Sequence, residues 1–159
     1  MEQAVQTKKK APKNDVFWVV YDRESARKYS DERHLKAREK AASNGINVAL
    51  SNVCFEQWLL LHFEYSAAAY YSYDDLMSRS TLKAKLNQLG IEKYDKGCAD
   101  IFKLVGQNNG IQKARDNARK LVKAMAGEAE FGKEAPSYLN PYVEIHLLLD
   151  TMDNFVSRN

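Results

Sequence analysis

Two continuous apolar runs stand near the front of the chain, and helical periodicities fill most of the rest. Residues Asp15 to Asp22, D-V-F-W-V-V-Y-D, are rich in β-branched and aromatic side chains and are bounded by acids. A run without strict alternation predicts a central strand buried on both faces. From Ser30 onward, His34, Leu35, Arg38, Ala41 and Ala42 fall at helical spacing. Ser30 or Asp31 caps this helix, and Asn44-Gly45 closes it. A second strand follows at Ile46 to Leu50, which makes a βαβ unit with the usual right-handed crossover.

Ser51 and Asn52 then offer capping oxygens to an aromatic-rich helix. Phe55, Trp58, Leu59 and His62 form its stripe, and Leu60 and Leu61 fill the remaining circumference, so the helix is expected to be well buried. Tyr70, Tyr71 and Tyr73 form an aromatic connection to a helix that opens at Asp74-Asp75, runs through Leu76, Leu82 and Leu86, and stops at Gly90. A short helix is predicted over Asp95 to Val105, a loop at Gly106 to Gly110, and a strong helix over Asn109 to Ala126. After a polar loop at Glu128 to Ser137, Asn140-Pro141 is read as the start of the last helix. The fold class that results is α/β: a small, mostly parallel sheet of Rossmann type with a helix-rich C-terminal half.

Composition narrows this further. A chain of 159 residues suggests one domain with a sizeable core. A net charge of +3 is too mild by itself to demand a nucleic-acid partner. Lys8, Lys9 and Lys10 mark residues 1–14 as a flexible basic segment, either a loose tail or a helix end running into a loop, with a phosphate-binding arm as the sharper alternative. The domain proper is placed at 15–159. Cys54 and Cys98 have no metal-ligand or redox spacing and read as core thiols in a reducing cytoplasm. No apolar run is long enough to span a bilayer and no signal peptide is visible, so no membrane association and a cytoplasmic location are expected.

Candidate chemistry collects at the strand ends, the edge where open α/β sheets place their ligands. Asp22 and Glu24 lie two residues apart at the end of the first strand. They either simply end it or hold a divalent cation through hard oxygen ligands. Glu56, in the first turn of the aromatic helix, either complements the helix dipole or serves the site. His62 on an apolar face reads first as a hydrogen-bonded core residue and second as a ligand or base. Lys113, Arg115, Arg119, Lys120 and Lys123 give one helix a basic face, solvated by default and a nucleic-acid groove in the alternative. There is no P-loop, G-x-G-x-x-G or H-E-x-x-H pattern, and no visible covalent triad.

Three blocks carry a family resemblance: D-V-F-W-V-V-Y-D-R-E, the stretch S-N-V-C-F-E-Q-W-L-L-L-H-F, and N-P-Y-V-E-I-H-L-L-L from Asn140 to Leu149. They resemble the strand ending in D-x-D, the S-N-P-x-F-E-x-W-x-L-x-H-F signature and the closing block of RloB-like proteins. Those are small bacterial defence proteins, often encoded beside an ABC-type ATPase and similar to the Toprim nucleases. The resemblance implies a divalent-metal-dependent nuclease-like subunit of an anti-phage, abortive-infection system. Mg²⁺ or Mn²⁺ would be held by Asp22 and Glu24, with Asp22, Glu24, Glu56 and His62 as catalytic candidates and Asn52, Lys113, Arg119 and Lys123 as substrate contacts. Family members open with a strand, an E-G-x-x-T-E-like turn and a helix. Met1 to Asn14 matches none of this beyond Glu2 to Val5 as the tail of such a helix. That departure implies a metal site with one carboxylate fewer, and an exposed sheet edge suited to pairing in a homo-oligomer. A non-catalytic Toprim-like module that docks on an ATPase partner or on nucleic acid is the alternative. A nucleotide-sensing domain is a third reading, without a phosphate loop behind it.

Overall fold

The computed structural model describes residues 1–157. Its element order is α1 (Glu2–Lys10), β1 (Trp18–Asp22), α2 (Asp31–Ser43), β2 (Asn47–Asn52), α3 (Glu56–Phe63), α4 (Tyr73–Arg79), α5 (Leu82–Gln88), α6 (Ile101–Val105), α7 (Gly110–Gly127), β3 (Tyr142–Val143) and α8 (Ile145–Val156), with a 3₁₀ turn at Gln107–Asn109. The βαβ unit is present: β1 and β2 pair in parallel, with Trp18 opposite Asn47 and Asp22 opposite Ser51.

The sheet corrects the expected fold class. Among the described residues it has three strands in the order β1-β2-β3, and β3 runs antiparallel to β2 through Ser51–Val143 and Asn52–Tyr142. With one parallel pair out of two, this is a small mixed sheet and not a mostly parallel Rossmann-like one. The strand that was missed is only two residues long, too short to show any periodicity. Tyr142 and Val143 suit a strand, but they follow Asn140-Pro141, which reads as a helix start. The helix begins later, at Ile145.

Of the two forms expected of residues 1–14, a loose tail or a helix end running into a loop, the second is present. Glu2–Lys10 is helical, and Val5 buries itself with Ala41 and Ile46 against Phe17, Val19 and Val48. Helices α1 and α2 therefore share one face of the sheet. The other face carries the main core, in which Trp18 and Ala49 meet α3 and its neighbours. Strand residues alternate between faces, so Phe17 and Val19 serve the first core and Trp18 the second.

Helix α3 is the centre of the main core. Trp58, Leu59, Leu60 and Leu61 are all fully buried. A helix apolar all round must be covered all round. Each of those leucines contributes about 1.5–3 kcal/mol by leaving water. α7 is its principal neighbour and also supplies its C-terminal cap. Asn117 Nδ2 donates to Leu61 O at 2.8 Å, and Lys113 Nζ donates to Phe63 O. These carbonyls have no partner within the helix, and a cation at that end also suits the helix dipole.

One side chain fastens the sheet to α2. The buried carboxylate of Glu144 accepts from Leu50 N at 3.0 Å and takes both terminal nitrogens of Arg38. Glu144 N donates to Leu50 O at 2.9 Å, so the residue answers both backbone groups of Leu50. Burial raises the Glu144 carboxyl above its ordinary value, and Arg38 opposes the rise.

Candidate functional site

Strands β1 and β2 end together because they pair in register. Beyond them the chain stays paired for two more residues: Arg23 N donates to Ser51 O at 2.8 Å, and Glu24 N to Val53 O at 2.9 Å. Val53, Cys54 and Phe55 then turn the chain into α3, which starts at Glu56. This geometry brings Glu56 to the end of β1.

Asp22 and Glu56 line one cavity of about 440 Å³, together with Phe55, Tyr94, Lys96 and Phe102. Glu56 is 1% exposed. Its Oε1 accepts from the Tyr94 hydroxyl at 3.1 Å, while its Oε2 is buried without a hydrogen bond among the described residues. A backbone hydrogen bond from Phe55 reaches Asp22, and Lys96 Nζ stands 4.0 Å from Asp22 Oδ2. The ammonium of Lys96 also sits 4.8 Å over the Tyr73 ring. Burial pushes the Asp22 carboxyl up to about 6. Lys96 opposes this, and the charges of Glu56 and Glu24 add to it. Burial, and then the Glu56 charge, also hold the Cys54 thiol and the Tyr94 hydroxyl well above their ordinary values. The cavity is thus a place where two carboxylates are crowded in partial dryness, with one ammonium to balance them.

Glu24, expected beside Asp22, lies elsewhere. Its backbone has φ 62°, and its Oε1 accepts from Lys28 Nζ at 2.7 Å. It lines a separate cavity of about 340 Å³ with Arg23, Asp31, Asn52, Ser137 and Asn140. Arg23 is a buried tie in that wall, donating to Ser137 O, Glu24 O and Tyr29 O and pairing with Asp31 at 2.5 Å. Asn52 is a tie as well: its Nδ2 donates to Leu139 O at 2.7 Å and to Ser137 O at 3.3 Å.

His62 belongs to the core. Its Nδ1 is 2.9 Å from Trp58 O, its ring lies 5.0 Å from the Trp58 ring, and burial holds its pKa below the ordinary value. It does not line the cavity of Asp22 and Glu56. The basic face of α7 is largely spent within the fold. Lys113 caps α3, Arg119 pairs with Asp150 at 2.9 Å and Asp116 at 3.1 Å, and Arg115 pairs with Asp153 at 2.5 Å. Lys123 is exposed. None of these cations reaches the acid pair.

Tyr94 and Lys96 were not foreseen. They come from a loop some forty residues beyond Asn52, and no periodicity marks them; the helix predicted there starts only at Ile101. Among the described residues no group of three or more His, Cys, Asp or Glu side chains converges as a metal site, and no helix is long and apolar enough to cross a membrane. The cysteines are free, with Cys54 buried and Cys98 half-buried.

The family model described as RloB-like protein matches residues 1–152. No curated protein and no solved structure matches the chain.

Proposed function

The chain belongs to the RloB-like family, and from that premise we propose that it is a divalent-metal-dependent, nuclease-like subunit of an anti-phage system, working through Asp22 and Glu56. The observation that carries this reading is the crowding of those two carboxylates in one cavity, one of them raised by burial and the other left with an unpartnered oxygen. A cation relieves such crowding. Mg²⁺ is commonly held by one or two carboxylates, with water and substrate phosphate completing its shell, so a pair is an adequate protein contribution. The donor set fits the ion with Asp22 and Glu56 as ligands, in place of the Asp22 and Glu24 pair expected from the sequence.

When bound, the ion would supply Lewis-acid polarisation of a phosphoryl oxygen and lower the pKa of a water. The chain's own residues do the rest. Tyr94 fixes the rotamer of Glu56 through its hydroxyl. Lys96, at the mouth and mostly exposed, is placed to meet a phosphate. Asp22, held up to about 6 by burial in the free chain, gives up its proton to ligate the ion, so metal binding should strengthen as the pH rises through that value.

The test is cleavage of single-stranded and duplex DNA and RNA with Mn²⁺ or Mg²⁺, comparing wild type with Asp22→Asn and Glu56→Gln. We expect metal-dependent cleavage that falls by about a hundredfold or more in either variant. Equal rates in wild type and variants, or no cleavage of any substrate, would reject the reading.

A second reading, docking on a protein partner such as an ABC-type ATPase, is favoured by a different observation. Among the described residues β1 has a neighbour on one side only. An apolar groove of about 540 Å³ runs beside it, lined by Phe17 and Trp18 and by Leu148 and Met152 of α8. Exposed strand edges and apolar grooves are where further chains add.

A further inference from the structure

Helices α1 and α2 leave a cavity of about 200 Å³ against β1, walled by Tyr21, Tyr29 and His34, with Arg33 among its lining residues. One wall is aromatic, and Met1, Val19 and Ala37 complete the lining. The rings of Tyr21 and His34 stack with centroids 5.8 Å apart and 11° between planes, and Tyr29 meets His34 edge-on at 6.2 Å. His34 is only 6% exposed, and its Nε2 has no hydrogen-bond partner among the described residues. The imidazole hydrogen-bonds the Arg23 backbone, while burial and the nearby Arg23 charge favour the neutral ring. A neutral imidazole that donates to a carbonyl through one nitrogen keeps a bare acceptor on the other. Arg33 gives the rim its cation, its guanidinium 4.7 Å from the Tyr29 centroid; the Lys28 ammonium, 5.7 Å from the same ring, lies outside the lining. Lys28 is paired with Glu24, but Arg33 has no ion-pair partner among the described residues.

We propose that this cavity binds the base of a nucleotide, with the ring against the tyrosines, an exocyclic amine donating to His34, and the phosphate at the rim beside Arg33. The size supports one ring system. Drug-sized ligands need about 300 Å³ or more, and this space is smaller. The sign of the rim selects an anion and disfavours the quaternary ammonium groups that aromatic cages otherwise take. The orphaned acceptor favours a base with an exocyclic amine (adenine, cytosine or guanine) over uracil or thymine, whose exocyclic oxygens only accept and which offer a ring N–H alone. Tyr21 and Asp22 are consecutive on β1 and face opposite sides of the sheet. The site is therefore separate from the acid pair and stands whether or not that pair cleaves anything.

The test is calorimetric titration of the full chain with AMP, CMP and UMP, and with short oligo(dA) and oligo(dT). AMP and CMP are expected to bind at least fivefold more tightly than UMP. Tyr29→Leu and the exposed-site Arg33→Ala should each weaken AMP by about tenfold, the usual scale for losing one stacking partner, with the melting temperature held near wild type. Tighter binding of oligo(dA) than of AMP would identify single-stranded nucleic acid as the source; equal or weaker binding would identify the free nucleotide. No heat with AMP or oligo(dA) at millimolar concentration, or wild-type affinity in both variants, would overturn the proposal. Asp22→Asn with Glu56→Gln separates the two sites. Binding without cleavage in wild type rejects only the nuclease reading, and cleavage without nucleotide binding rejects only this one.

Discussion

Asp22 shows how a single residue can work against the fold it belongs to. Its ordinary value is 3.8, and in the folded chain it is pushed up to about 6. Between those values the folded protein holds a proton that the unfolded chain has released. Raising the pH through about 4 to 6 therefore removes stability, and the whole cost is present above 6. Asp22→Asn should accordingly be more stable than wild type at pH 7.5, by about 1–2 kcal/mol after allowing for partial solvent access, and indistinguishable from it near pH 3.5. Urea denaturation at the two pH values measures this. A second prediction separates the two ways of pairing the acids. Mn²⁺ binding, followed by calorimetry, should be weakened about tenfold or more by Glu56→Gln and changed little by Glu24→Ala, because only Glu56 shares a cavity with Asp22. The reverse order would restore the D-x-E pair suggested by the sequence. That pair was legible as a motif, while in the fold its two members line different cavities. The chain turns at Glu24 with φ 62°, and spacing along a sequence says nothing about which way a residue leaves the strand.

At the scale of elements, the parts with a strong local signal were readable and the parts defined by a distant neighbour were not. The βαβ unit, the buried α3 and the long α7 follow from apolar runs and helical spacing. The helix expected through Leu76, Leu82 and Leu86 is two helices, broken where Ser80 takes an extended conformation; the step of six from Leu76 to Leu82 leaves a single helical face, and that is the signal of the break. β3 exists because Ser51 and Asn52 offer it a partner, and Lys96 joins the acid pair only through tertiary folding. The junction before α7 tests a further element. Asn108 and Asn109 take left-handed conformations, and Gly110 then passes so close to Val105 that a Cβ there would lie 1.9 Å from its carbonyl oxygen. Gly110→Ala should force the backbone apart and cost about 1–3 kcal/mol. The loss should be visible as a lower melting temperature, with faster amide exchange in α6 and in the first turn of α7. An unchanged protein would mean that α6 moves aside freely.

Over the whole molecule, charge and apolar surface are distributed unevenly. The two arginines of α7 are matched by Asp150 and Asp153 of α8, while its three lysines form no ion pair among the described residues, so this pair of helices keeps much of the chain's net charge of +3. The apolar surface gathers instead beside β1, where Val16 is 54% and Met152 is 55% exposed. Met152→Lys should raise the solubility of the isolated chain while moving its stability by no more than about 0.5 kcal/mol, as surface changes usually do. Static light scattering against concentration measures the first effect and a melting curve the second. If the groove seats a partner, the same substitution should also weaken co-purification with it.

The junction of Arg38, Glu144 and the Leu50 backbone has a consequence for descent. Neither side chain can change alone without leaving a buried charge or a buried amide unanswered, a loss of about 3–5 kcal/mol. Such a penalty is comparable to the whole margin by which small domains stay folded. Lineages that carry this fold should therefore keep the pair or exchange both members together, so that positions 38 and 144 are inherited as one two-letter character although 105 residues separate them in the chain.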